Sequence, residues 1–201
     1  PGAASVLRWR HGGVTYRAYG RPRTFERVPQ RKYDGSYAIV NVTFRYRDTH
    51  SFLDELHEVS LGGYASTTSQ GIILPKVLPW VLGDTQAEQV GVVNVESSIA
   101  TPFEVEIAGP QSGVATNLRV WGDTWLLDFG TLGIRPGQRL VVDTATATAL
   151  LDGASVAGRL TPASTLMGRI APGRNVFHAL FSDPTATTRA TVRWREATPV
   201  L

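Results

Sequence analysis

Glu104 and Glu106 stand two residues apart in the run Phe103-Glu104-Val105-Glu106-Ile107. On a strand, that spacing puts both carboxylates on one face, roughly 6–7 Å apart. Glycosidic cleavage uses two acids at about 5–9 Å across a bound sugar. Any solvent-facing strand gives the same spacing, so the pair reads first as a wet face and only second as an acid and a base. Asp143-Thr144 follows the apolar run Leu140-Val141-Val142 and reads as a strand end whose carboxylate bonds to turn backbone. The four histidines, His11, His50, His57 and His178, form no H-x-H or H-x-x-x-H pair, and there is no cysteine. Neither a local metal set nor a thiolate nucleophile is expected from them. His178, next to Phe177 and close to Phe181, reads as a packed residue. Nucleophile elbows, phosphate loops and dinucleotide fingerprints are absent from the sequence. The expectation is a chain that is not an enzyme, with no catalytic residue, no metal and no cofactor.

Two other residue groups could bind rather than react. Trp121 and Trp125 flank Gly122-Asp123-Thr124, and an exposed indole at a loop tip can stack on a sugar ring. The same spacing also suits a sandwich core, so both readings stay open; Trp80, between Pro79 and Val81, reads as a packing residue in a connector. Charge is uneven along the chain. Residues 1–50 carry ten Arg or Lys against three acids, a net of +7, and residues 51–201 carry ten against fourteen, a net of −4. A basic end of this kind suits an acidic partner surface or a polyanion, or simply solvated strand faces. Nucleic-acid modules add stacking aromatics or a recognition helix, and neither is evident, so no specific nucleic-acid recognition is expected.

The elements that must carry these residues are strands. Val and Thr number 21 each among 201 residues, and β-branched side chains favour a pleated sheet over a helix. Eighteen of the 20 basic residues are Arg, a skew that speaks of a GC-rich genome rather than of chemistry. Residues 6–10 and 14–19 read as a hairpin around His11-Gly12-Gly13. Residues 36–47 alternate, with Val40, Val42, Phe44 and Tyr46 toward a core and Asn41, Thr43, Arg45 and Arg47 away from it. Ser51 with Asp54 at the third position suggests a capped short helix over residues 51–59. A Gly/Ser/Thr/Pro-rich stretch follows, and we place a connector over residues 61–85. Beyond it, strands are expected at 90–95, 103–108, 117–120, 124–129, 139–142, 175–181 and 189–195, separated by turn signals such as Asp152-Gly153. Phe103, Val105 and Ile107 would face inward with Glu104 and Glu106 outward; Ala190, Val192 and Trp194 would oppose Thr191, Arg193 and Arg195. The reading is an all-β chain: a β-rich domain at 1–60, then a β-sandwich, jelly-roll or galectin-like, at 86–201. No apolar run reaches the ~18 residues of a membrane helix, and no signal peptide is visible.

The order of several short pieces resembles a known family. Tyr19-Gly20-Arg21-Pro22-Arg23 precedes the strand at 39–47. Gly71-Ile72-Ile73-Leu74-Pro75 leads to Leu78-Pro79-Trp80. Thr101-Pro102-Phe103-Glu104-Val105-Glu106-Ile107-Ala108-Gly109 is followed by Asn117-Leu118, by Ile134-Arg135-Pro136-Gly137 running into Asp143-Thr144, and by Ala171-Pro172-Gly173-Arg174-Asn175. Together they resemble the distal tail proteins of siphophages, also described as siphovirus-type tail components or minor tail proteins. The resemblance implies a structural role without catalysis: a homohexameric ring at the virion's tail tip, assembled in the bacterial host cytoplasm. Such a ring joins the tail tube and tape-measure protein to tail-tip or receptor-binding proteins, and outward β-sandwiches dock further components or host glycan. Residues 1–60 would be the C-terminal part of the ring-forming, tail-tube-like domain, with an upstream segment expected before them. Arg17, Arg21, Arg23 and Arg27 would then be ring or interface contacts. Trp121 and Trp125 would be the carbohydrate contact.

Overall fold

The computed structural model describes residues 5–27, 40–47, 50–62, 89–183 and 185–199. The chain is all-β and divides into two compact units. Unit 1 comprises Pro1–Leu56 with Arg195–Leu201, and unit 2 comprises His57–Trp194. Unit 1 opens with β1 (Ser5–His11), β2 (Val14–Arg27), β3 (Val40–Tyr46) and β4 (His50–Leu53). Unit 2 contains β5 (His57–Leu61), β6 (Gln89–Val95), β7 (Phe103–Ala108), β8 (Thr116–Trp121) and β9 (Leu126–Asp128). It continues with β10 (Arg139–Asp143), β11 (Thr148–Leu151), β12 (Ala154–Ser155), β13 (Gly173–Ser182) and β14 (Arg189–Trp194). The last strand, β15 (Ala197–Pro199), returns to unit 1.

Unit 2 is a β-sandwich. One sheet runs β12-β11-β10-β7-β14-β5 and the other β6-β13-β8-β9, with antiparallel pairing throughout. Alternation explains the layers. In β7, Phe103, Val105 and Ile107 are buried while Glu104, Glu106 and Ala108 are half-exposed. Val105 pairs with Val142 on one side and Val192 on the other, and Ile107 pairs with Leu140 and Ala190. From the facing sheet, Leu118, Val120, Leu127 and Phe177 close the core. Each such side chain contributes roughly 1.5–3 kcal/mol on burial. The strands foreseen at 103–108 and 139–142 are present, and Asp143 bonds to the Ala145 and Thr146 amides as a strand end should. The Asp152-Gly153 turn joins β11 to β12, with both residues at positive φ, 48° and 86°.

Three expectations change. The short helix over 51–59 is instead β4 and β5, each held by a strand partner. A nine-residue helix lacks the length to propagate against its nucleation cost, whereas ladder pairing with β2, β15 and β14 supplies partners at once. The second change concerns boundaries: β5 belongs to the sandwich and β15 to unit 1. The connector at 61–85 lies mostly outside the described residues. Third, the apolar face of β3 forms but is not sealed, since Val42 and Tyr46 remain exposed.

Unit 1 is a five-stranded sheet, β1-β2-β4-β15, with β3 also on β2. Gly20 pairs with Ser5 of β1 and Tyr46 of β3, and Tyr16 with Trp9 of β1 and Leu53 of β4. The long strand β2 therefore has β1 along one edge, and β3 and β4 along successive stretches of the other. A side chain at Gly20 would run into the carbonyl of Arg45, which fixes glycine there.

The loop between β13 and β14 is tied by Asp183. Its carboxylate accepts hydrogen bonds from the amides of Thr185, Thr187 and Thr188 and from the hydroxyls of Thr185 and Thr188. Burial pushes the carboxyl up, but these donors outweigh burial and hold it at about 2, against 3.8 ordinarily. A depressed folded value stabilises the fold above the unfolded value and loses that contribution as pH falls through the folded one. Replacing Asp183 with Ala should therefore cost about 1–2 kcal/mol at neutral pH. The deficit should shrink between pH 4 and about 2, as read by urea unfolding at stepped pH.

Candidate functional site

One face of the unit 1 sheet is a field of arginines. Directly paired residues share a face, so Arg8 opposite Arg17 and Arg21 opposite Arg45 lie on the same side of β2, with Arg10 two residues along from Arg8. Like charges directly across strands repel, and the structure answers the first pair with Asp54. Arg17 donates through Nε to Asp54 Oδ1 at 2.6 Å and through Nη2 to the same oxygen, and Arg8 Nε lies 3.3 Å from it. Arg195 donates through Nη1 to the Asp54 carbonyl. The hydrogen bond from Arg17 holds the Asp54 carboxyl below the usual carboxylate range, with Arg8 and Arg195 adding to it.

The four arginines singled out from sequence are placed differently from one another. Arg17 is buried and committed to Asp54, with Tyr19 Oη 3.4 Å from its Nη1. It is therefore a positioning residue within unit 1 and not an interface contact. Arg21 is exposed on the arginine face. Arg23 is exposed at the β-bulge between Pro22 and Thr24, where the β2–β3 register shifts. The side chain of Arg27 lies outside the described residues. Arg8, Arg45 and Asp54 were not singled out. The alternation of Arg8 and Arg10 was visible, but only the strand register shows which arginines meet.

Unit 2 has the opposite arrangement. Arg193 reaches Glu58 Oε2 at 3.2 Å, Glu104 Oε1 at 3.5 Å and Glu106 Oε2 at 2.7 Å, and Arg139 lies 3.1 Å from Glu106 Oε1. The Glu106 hydrogen bond, helped by Glu58, raises the Arg193 guanidinium above its usual range. Glu104 and Glu106 thus share one guanidinium. Among the described residues there is no group of three or more His, Asp or Glu side chains placed to hold a metal.

The two tryptophans separate as well. Trp125 is buried in the sandwich core, with its ring 4.3 Å from Phe103 and 5.8 Å from Phe177. A Cβ at Gly168 would come within 2.8 Å of Trp125 Cβ, and one at Gly122 within 2.6 Å of its indole nitrogen. No sugar can reach that ring, so the carbohydrate contact expected at Trp125 is wrong. Trp121 sits on the outer side of β8, half-buried, with His178 stacked on it at 5.1 Å and 6° and Arg119 Cζ 5.0 Å from the ring centroid. Leu118 and Val120 point inward, so period two alone sends Trp121 outward.

No protein-family model matches the chain, and no curated protein matches it in sequence.

The contrast between the indoles is testable. Trp125→Ala should lower stability by about 3–5 kcal/mol in urea unfolding, whereas Trp121→Ala should lower it by about 1 kcal/mol or less. Equal losses would place Trp121 in the core.

Proposed function

We propose that this chain is a structural component of a bacteriophage tail tip, a distal tail protein. It forms a homohexameric ring that links the tail tube and tape-measure protein to tip or receptor-binding proteins. The observation that carries the reading is the division of charge between two all-β units. Counted over the sequence, unit 1 holds eleven basic and six acidic residues, a net of +5, and unit 2 holds nine and eleven, a net of −2. A protein that joins unlike neighbours uses different surfaces for each, and opposed charge selects partner and orientation. Closed rings are built from heterologous interfaces of this kind. The ordered family-like segments support the same reading. In it, Arg21 and Arg23 are interface residues, and the chain has no reaction to catalyse.

A second reading is favoured by Trp121. Its indole is half-exposed on the outer strand face, with His178 stacked on the ring and the Arg119 guanidinium over it, and this mixed aromatic and polar cluster is of the kind a sugar can meet. A host-glycan site there is compatible with a hub.

Native mass measured across a concentration range tests the first reading. A discrete species near six times 21.8 kDa is the expected result; monomers at every concentration would count against the ring. Titration with host cell-wall glycans tests the second: tryptophan fluorescence should change on binding, and Trp121→Ala should abolish the change.

A further inference from the structure

The two units carry matched clusters of opposite composition. In unit 1, Asp54 stands among three guanidiniums, those of Arg8, Arg17 and Arg195. In unit 2, Arg193 stands among three carboxylates, those of Glu58, Glu104 and Glu106, with Arg139 offsetting part of the charge at Glu106. Glu55, exposed, and Glu196, buried, also belong to the unit 1 neighbourhood in sequence, yet Arg10 and Arg45 share its arginine face.

Each cluster leaves groups that point to a further partner. Side chains of Arg8, Glu58 and Glu104 are 60, 60 and 44% exposed. Arg8 spends only its Nε on Asp54, so among the described residues its two terminal nitrogens are unclaimed. Glu58 gives Arg193 only Oε2 and Glu104 gives only Oε1, leaving one oxygen of each unclaimed among the described residues. A guanidinium fork takes two acceptors side by side. Both clusters lie on strand faces, where the ~4.8 Å strand spacing sets the lateral repeat, so arginines on neighbouring strands can face glutamates on neighbouring strands.

We infer that this chain associates head to tail, with the arginine face of unit 1 in one copy seated on the Glu58–Glu104 face of unit 2 in the next. Arg8 and Arg45 are the exposed donors and Glu58 and Glu104 the acceptors. The contact is heterologous, and it closes into a ring or continues as a filament according to the rotation between copies. The second copy is the preferred occupant because the chain itself bears both halves of the complement. The inference rests on the proposal that the protein self-assembles, and it adds which surfaces do so.

A charge swap on the full chain tests it. Sedimentation velocity is recorded for the natural chain, for Arg8→Glu with Arg45→Glu, for Glu58→Arg with Glu104→Arg, and for an equimolar mixture of the two variants. The natural chain should assemble, more weakly as salt is raised. Each variant alone should associate roughly ten-fold or more weakly. The mixture should recover assembly, because reversed and natural faces then alternate in complementary pairs. Recovery also shows that both variants are folded. Should either reversal lower the thermal midpoint, Arg8→Gln and Glu58→Gln serve in its place, each expected to weaken association without recovery on mixing. A natural chain that stays monomeric overturns the ring reading and this inference together. A natural chain that assembles while the variants assemble equally well, or while their mixture stays apart, overturns the pairing of faces and leaves the ring reading standing.

Discussion

Register on strand β7 is the constraint from which unit 2 follows. Leu140, Ile107 and Ala190 lie side by side across β10, β7 and β14, as do Val142, Val105 and Val192, and all six are essentially inaccessible to water. A slip of one residue would send Glu104 and Glu106 into that core and bring the valines out. Unpaired buried carboxylates cost far more than the slip could recover elsewhere, so the apolar rows lock the polar ones. The same lock places Arg193 opposite both Glu104 on β7 and Glu58 on β5. The acidic cluster is therefore a by-product of core packing in its position. It is a product of residue choice only in its charge.

Unit 1 rests on a different balance. Its sheet face gathers like charges at directly opposed positions, which on its own destabilises a ladder. Asp54 offsets this where the packing is tightest, beside the buried Arg17. A buried guanidinium with its partner removed is costly, so Arg17 and Asp54 act as one structural unit. Arg8 is a peripheral member whose charge is only partly taken up. The bulge at Arg23 then reorients the outer half of β2, since an extra residue sharpens the local twist. Along β2 a structural arginine, Arg17, is thus followed by two presented ones, Arg21 and Arg23, and exposure separates them.

Much of this was legible as pattern and little of it as register. Alternation in Phe103-Glu104-Val105-Glu106-Ile107 and in residues 189–194 foretold the inward and outward faces of β7 and β14, which are neighbours in one sheet of unit 2. Period two in Asn117-Leu118-Arg119-Val120-Trp121 sends Trp121 outward, and period two in Trp125-Leu126-Leu127-Asp128-Phe129 turns Trp125 inward with Leu127 and Phe129. What could not be read was long-range. Ser51-Phe52-Leu53-Asp54 has the spacing of a helix start, and only its neighbours β2 and β15 make it a strand. The pairing of Glu58 with Arg193 across 135 residues depends on contacts that no local window contains. Unit membership is long-range for the same reason, because β15 joins β4 from the far end of the sequence.

The charge division gains meaning from where the neutralisation stops. Neither cluster is an isolated ion: each has a central group held by several partners, Asp54 in one and Arg193 in the other, and peripheral groups such as Arg8, Glu58 and Glu104 engaged through one atom only. A surface optimised for the free chain alone would gain little from this, since exposed ion pairs add about 0–1 kcal/mol. Nor would stability favour concentrating one sign in each unit, because self-repulsion within a unit opposes it. Concentrated charge held in place by a half-buried central partner does favour orientation, since it fixes where a neighbouring molecule must place its own groups. Partly spent exposed charges around a shared central group suit the assembly proposed above, and this chain presents that arrangement twice, with the sign reversed.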